Sequence, residues 1–170
     1  KPQLLIDLTP EGLRIQIVDH QRRPMFDRSS AVVVPAMRGI LRELAPMLNR
    51  QPTRLTLSGH TDAALYAQGD KGYSNWELSA DRANASRREL VSGGLGEERM
   101  VRVMGMGSSV PFDPQDPLAA ANRRISILVL GRLGQERWMR GGDTPISEAE
   151  ALERLLEQRP AVPSPSTTRP

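Results

Sequence analysis

Apolar and polar positions alternate with two different periods along this chain, and the changes of period mark its elements. In "LLIDLTPEGLRIQIVD", Leu4, Ile6 and Leu8 alternate on one side of an extended run, then Leu13, Ile15 and Ile17 on a second. The "TPEG" between them, with Pro10 and Gly12, is turn chemistry, so the stretch predicts a β-hairpin. After a polar segment with Met25 and Phe26 as two apolar anchors, the period lengthens. Met37, Ile40, Leu41, Leu44, Met47 and Leu48 recur at three and four, which predicts a helix face. Pro35 suits its first turn, and Pro46 is expected to distort its end.

"TRLTLSG" returns to alternation and predicts a strand, with Leu55 and Leu57 on one side and Thr56 on the other. A polar loop, "AALYAQGDKGYS", leads into "NWELSADRANASRRELVSGG". There the Ser74-x-x-Glu77 spacing is a capping box, and Gly93-Gly94 closes the helix. "MVRVMG" is a further strand and "GSSVPFDPQDPLAAAN" a Gly/Pro-rich loop. "RRISILVLG" is a last strand whose near-continuous apolar run suits a central position. The order β-β-α-β-α-β-β contains a strand-helix-strand unit. Its right-handed crossover puts the helices on one face of a sheet. The expected fold is a two-layer α/β (α+β) sandwich over residues 3–131. Residues 132–159 are expected to form an extension with a short amphipathic helix striped by Leu152, Leu155 and Leu156. The Pro/Ser-rich residues 160–170 are expected to be disordered.

Composition narrows the function classes. Aromatic residues are only 4% of the chain, which argues against the stacking platforms of single-strand nucleic-acid binders. The net charge is +3, and all basic residues but Lys1 and Lys71 are Arg. Arg suits planar recognition of carboxylate or phosphate. No dense basic run marks a nucleic-acid arm. The absence of Cys excludes disulfides, thiolate nucleophiles and Cys-type zinc sites. No apolar stretch approaches the ~18 residues of a membrane span, and no signal peptide is evident. The chain opens at Lys1 and is expected to be part of a longer protein.

Candidate chemistry centres on "SGHTD", residues 58–62, at the carboxyl end of the "TRLTL" strand. The two histidines, His20 and His60, lie in different elements, so no metal or other cofactor is expected and His60 reads as structural. Ser58, Thr61 and Ser79 lack a glycine-flanked elbow or a third catalytic partner. Asp62 and Arg82, the latter about two turns into the next helix, could border one pocket near that helix's N-terminus. Such a pocket suits a zwitterion, with Asp62 taking an ammonium and Arg82 a carboxylate. A salt bridge holding loop to helix fits the same spacing, and spacing alone favours it.

"GHTD", "NWELSADRA", "MGMG" and "NRRISILVL", in that order, resemble the OmpA-like peptidoglycan-binding domain over residues 24–130. Within that family, "YSNWELSADRANASRR" and "NRRISILVL" are most similar to the wall-binding domains of flagellar motor stators. The resemblance implies a non-enzymatic domain that holds the diaminopimelate of the peptidoglycan stem peptide. Asp62 would take its ammonium and Arg82 its carboxylate, with Thr61, Asn75, Leu78, Ser79, Phe26 and Asp27 around them. Arg28 in "FDRSS" stands where the family's Phe-x-Ser-Gly-Ser loop carries a small residue. Asn122, Arg123 and Arg124 match the family's Asn-Arg-Arg and read as mainly structural. The resemblance further implies a periplasmic domain of a single-pass inner-membrane protein. Its partners would be peptidoglycan, a second copy of the chain and the stator's channel subunit. A wall anchor of an outer-membrane porin or a peptidoglycan-associated lipoprotein shares the fold. A wall hydrolase using His60 and Asp62 is the alternative of another class.

Overall fold

The computed structural model describes residues 3–20, 22–65, 72–139 and 153–154. The chain divides into two units, Lys1–Met139 and Arg140–Pro170. In the second, only Glu153 and Arg154 are described, and both are helical. The rest of the helix expected there, the tail, and residues 66–71 of the polar loop lie outside the described residues.

The first unit is a mixed five-stranded sheet with helices. The strands are β1 (Leu4–Thr9), β2 (Gly12–Val18), β3 (Leu55–His60), β4 (Met100–Gly105) and β5 (Arg124–Leu130). The helices are α1 (Pro35–Asn49), α2 (Asn75–Ser92) and α3 (Arg132–Met139). The strand order is β1-β2-β5-β3-β4, so the apolar β5 is central, as its run of Ile and Val predicts. The β3-α2-β4 unit supplies the parallel pair; β5 runs antiparallel to both β2 and β3. The hairpin turns through Pro10 and Glu11. Gly12 is obligatory there: its φ is 149°, and a Cβ would sit 2.0 Å from the Val129 carbonyl oxygen.

Ile15, Ile17, Leu55, Leu57, Ile125 and Ile127 make one face of the sheet, and Met37, Leu41, Leu44, Leu48, Ala85 and Leu90 close over it. Met25 and Phe26, the two anchors of the polar segment, are buried in the same core. Capping of α2 is as the sequence predicts. The Ser74 hydroxyl accepts from the Trp76 amide at 3.2 Å, and the Glu77 carboxylate accepts from the Ser74 amide at 2.8 Å. The Ser74 hydroxyl also donates to the Glu77 carboxylate, and this bond, then the backbone amides of Glu77 and Ser74, hold the Glu77 carboxyl below its ordinary range.

Three details differ from expectation. Met47 is 58% exposed, because α1 continues through Pro46 to Asn49 and turns that position to solvent. Leu4, Ile6 and Leu8 share the core-facing side of the sheet with their β2 partners, but β1 is the edge strand and the helices stop short of it. Leu8 is therefore 83% exposed. Finally, α3 takes the face opposite α1 and α2. Arg102, paired with Thr56, lies over the Trp138 ring at 4.8 Å. The Glu11 carboxylate accepts from Trp138 Nε1 at 2.8 Å and from Arg137 at 2.9 Å.

Candidate functional site

Three strand ends meet at one edge of the sheet. Val18 at the end of β2 pairs with Arg124, and so does His60 at the end of β3. The residues just beyond, Asp19 and Asp62, therefore flank Arg123, which immediately precedes β5. The backbone seals this junction: the Asp19 amide donates to the Arg123 carbonyl at 2.8 Å. The Arg123 guanidinium then bridges the two acids. Its Nε donates to Asp19 Oδ2 at 2.8 Å and its Nη1 to Asp62 Oδ2 at 2.8 Å. Burial works against the charge on Arg123, but the two carboxylates outweigh it and hold the guanidinium above its ordinary range.

Asp62 is set by its own turn. The Ala64 amide donates to Asp62 Oδ1 at 3.0 Å, and the Thr61 hydroxyl to the Asp62 carbonyl at 2.9 Å. Asn75, the first residue of α2, fastens the same turn by donating to the carbonyls of Ala64 at 2.8 Å and Asp62 at 3.3 Å. This locks the start of α2 to the end of β3. Close approach of the two elements also requires Gly59, where a Cβ would lie 2.2 Å from the Ser79 carbonyl oxygen.

Arg82 comes from the next turns of α2 and is buried. Its guanidinium stacks over Phe26 at 4.9 Å. Nε donates to the Ser30 carbonyl at 2.8 Å and Nη2 to the Asp27 carbonyl at 3.4 Å. Arg82 thus shapes the 27–30 turn as well as bordering the site.

These groups surround a cavity of about 770 Å³. Seven of the residues that the sequence singles out line it: Phe26, Asp27, Thr61, Asp62, Asn75, Leu78 and Arg82. Ser79 is not among the lining residues. It is fully buried, and its hydroxyl donates to the Trp76 carbonyl at 3.0 Å and accepts from the Gly107 amide at 2.9 Å, tying α2 to the loop after β4. The cavity also includes Arg28, which the resemblance had marked as a departure in the pocket loop, and Arg123, read as mainly structural, together with Asp19, Pro24, Ser29, Ala64 and Leu65, which the sequence did not point to as site residues. For Arg123 a signal existed in "NRR"; for Asp19 there was none, because its place depends on the β2–β5 register.

The ionic partner of Asp62 is accordingly Arg123. Among the described residues, the lining carries three carboxylates (Asp19, Asp27, Asp62) and three guanidiniums (Arg28, Arg82, Arg123). Such a balanced set suits a zwitterionic group better than a simple anion or cation. His60 is buried and is not among the lining residues. Its Nε2 lies 3.1 Å from the Ser58 hydroxyl, while its Nδ1 has no hydrogen-bond partner among the described residues. Burial, and then the Arg124 charge, pull the imidazole down to about 4. Arg124 in turn is drawn down to about 10 by burial and by Arg14, and so stays charged at neutral pH. Among the described residues, no three His, Asp or Glu side chains are grouped to hold a metal ion. No described helix is long and apolar enough to cross a membrane.

The OmpA family profile matches residues 25–124. Motility protein B of Escherichia coli K12 is 58% identical over 136 residues, covering 80% of this chain and 44% of that protein. The chain thus spans less than half of that relative's length. Among solved structures, the periplasmic domain of Helicobacter pylori MotB (residues 97–256) superposes with a TM-score of 0.64 at 18% identity, covering 90% of this chain and 97% of that one. The cell wall anchor of the type VI secretion system from Pseudomonas aeruginosa superposes with a TM-score of 0.60 at 20% identity, covering 76% and 88%. At these identities the two structures speak for the fold alone.

Proposed function

Because this chain belongs to the OmpA family and is homologous to Motility protein B, we propose that it is a non-enzymatic peptidoglycan-binding domain that anchors a flagellar motor stator to the cell wall. The ligand is the diaminopimelate of the stem peptide. Its ammonium is taken by Asp62 and its carboxylate by Arg82, through charge-assisted hydrogen bonds. The observation that carries this reading is the cavity at the strand ends, which Asp62 and Arg82 both line among a balanced set of charges. Asp19 shares the hold on Arg123, so an arriving ammonium can draw on Asp62 while Asp19 keeps the guanidinium compensated.

In the whole protein, the domain stands in the periplasm as part of a single-pass inner-membrane subunit. It acts as a dimer, with MotA as the channel partner reached through a transmembrane part. An anchor is suited by the way its two ligand-holding groups are mounted: Asp62 sits directly beyond β3 in a turn that Asn75 fastens to α2, and Arg82 stands on that helix.

Sedimentation with purified sacculi tests the site. Asp62→Asn keeps the shape of the side chain and leaves Arg123 its Asp19 partner. It is expected to stay folded and lose about 2–5 kcal/mol of binding if the contact is well desolvated. Arg82→Ala is expected to lose at least as much, because the 27–30 turn loses two hydrogen bonds as well. Folded variants that sediment like wild type would overturn the assignment. Release of soluble muropeptides by the wild-type protein would replace an anchor with a hydrolase.

A further inference from the structure

We propose that Arg28 is a specificity-determining residue that reads a second, free carboxylate on the wall peptide, beside the zwitterionic centre. This rests on the function proposed above.

Arg28 lies within the Asp27–Ser30 turn and lines the cavity together with Ser29. The turn has a defined shape. The Asp27 amide donates to the Val32 carbonyl at 3.0 Å, the Ser30 amide to the Asp27 carbonyl at 3.1 Å, and the Val32 amide to the Ser30 hydroxyl at 3.0 Å. Arg82 adds its bonds to the carbonyls of Asp27 and Ser30 from below. Ser29 is the one non-glycine among the described residues with positive φ, at 53°. A side chain in this left-handed region is strained, and such strain persists where the surroundings over-determine the backbone.

The charges around the cavity are not equally engaged. Arg123 is compensated by Asp19 and Asp62. Arg82 donates to two carbonyls and stacks on Phe26. Arg28 is exposed and makes no hydrogen bond or ion pair with any described residue, its neighbour Asp27 included. It contributes nothing to holding the turn, yet the turn delivers it to the cavity. A guanidinium in that position is a bidentate receptor for a carboxylate, and an amide in the same place offers it no charge. A stem peptide carries carboxylates besides the one on the diaminopimelate zwitterion. The group read by Arg28 is one of those in its unamidated form.

Titration calorimetry with two synthetic stem tripeptides tests this. One is the free acid; the other is amidated at every carboxylate except that of the zwitterionic carbon. Wild type is expected to prefer the free acid by about tenfold, and the preference should shrink as salt rises, as for a charge at an interface rim. Arg28→Ser is expected to bind the two peptides alike, and Arg28→Lys to fall between. If Arg28→Ser keeps the full preference, or wild type shows none while Asp62→Asn still abolishes binding, the role of Arg28 is overturned and the zwitterion site stands. If wild type binds neither peptide, the proposed function falls and this role with it.

Discussion

At the scale of single residues, His60 shows how an eye-catching side chain can matter without touching a ligand. It is 7% exposed and sits behind the cluster of Arg123 and Arg124 at the strand ends. Its neutral form is what the fold accommodates, since burial and Arg124 bring it to about 4. An unfolded imidazole takes its proton near 6.5. Between those values the unfolded chain binds more protons, so stability rises with pH. The contribution, about 3 kcal/mol, is complete above pH 6.5 and is lost as the pH falls toward 4. Urea unfolding at several pH values checks this: His60→Gln is expected to flatten the dependence over that window. Sacculus binding by a folded His60→Gln protein is expected to persist, as His60 is not among the cavity-lining residues.

At the scale of elements, the site depends on how tightly α2 lies on β3. Gly59 permits that approach, and the Ser79 hydroxyl links the helix to Gly107. Gly59→Ala forces a methyl group against backbone at 2.2 Å, which cannot move aside as a side-chain tip can. The expected cost is about 3 kcal/mol, the upper end of ordinary overpacking. Gly39 in α1 is the control. It is exposed, nothing lies within 4 Å of its Cβ position, and Gly39→Ala is expected to stabilise by roughly 0.5–1 kcal/mol. Denaturant midpoints of the two variants should move in opposite directions. The capped ends of α2 were legible in the sequence because a capping box and a glycine stop are local chemistry. The glycine of "SGHTD" falls in the strand that the alternation predicts, but that its missing side chain lets a helix in is visible only in the fold.

At the scale of the whole molecule, α3 completes the unit by covering the face of the sheet that the other helices leave. Its hold is concentrated in Trp138, between Arg102 and Glu11. Trp138→Ala is expected to cost about 2 kcal/mol, less than a fully buried tryptophan because the ring is only partly covered. Chemical denaturation measures the loss. Wall binding should be retained by the folded variant, as no residue of α3 lines the cavity.

Periodicity and capping by themselves determined the strands, the two long helices and the central place of β5, because those signals lie within a few residues of one another. The four family motifs brought Asp62 and Arg82 into view together. Tertiary structure alone decided what Asp62 is bonded to. Arg123 lies 61 residues from Asp62 and 104 from Asp19, and it meets both only because β5 inserts between β2 and β3 in one register. A one-residue slip in that register would turn these side chains to the other face. No pattern along the chain encodes such a meeting, since it follows from strand order, and strand order is settled by which faces can be buried together.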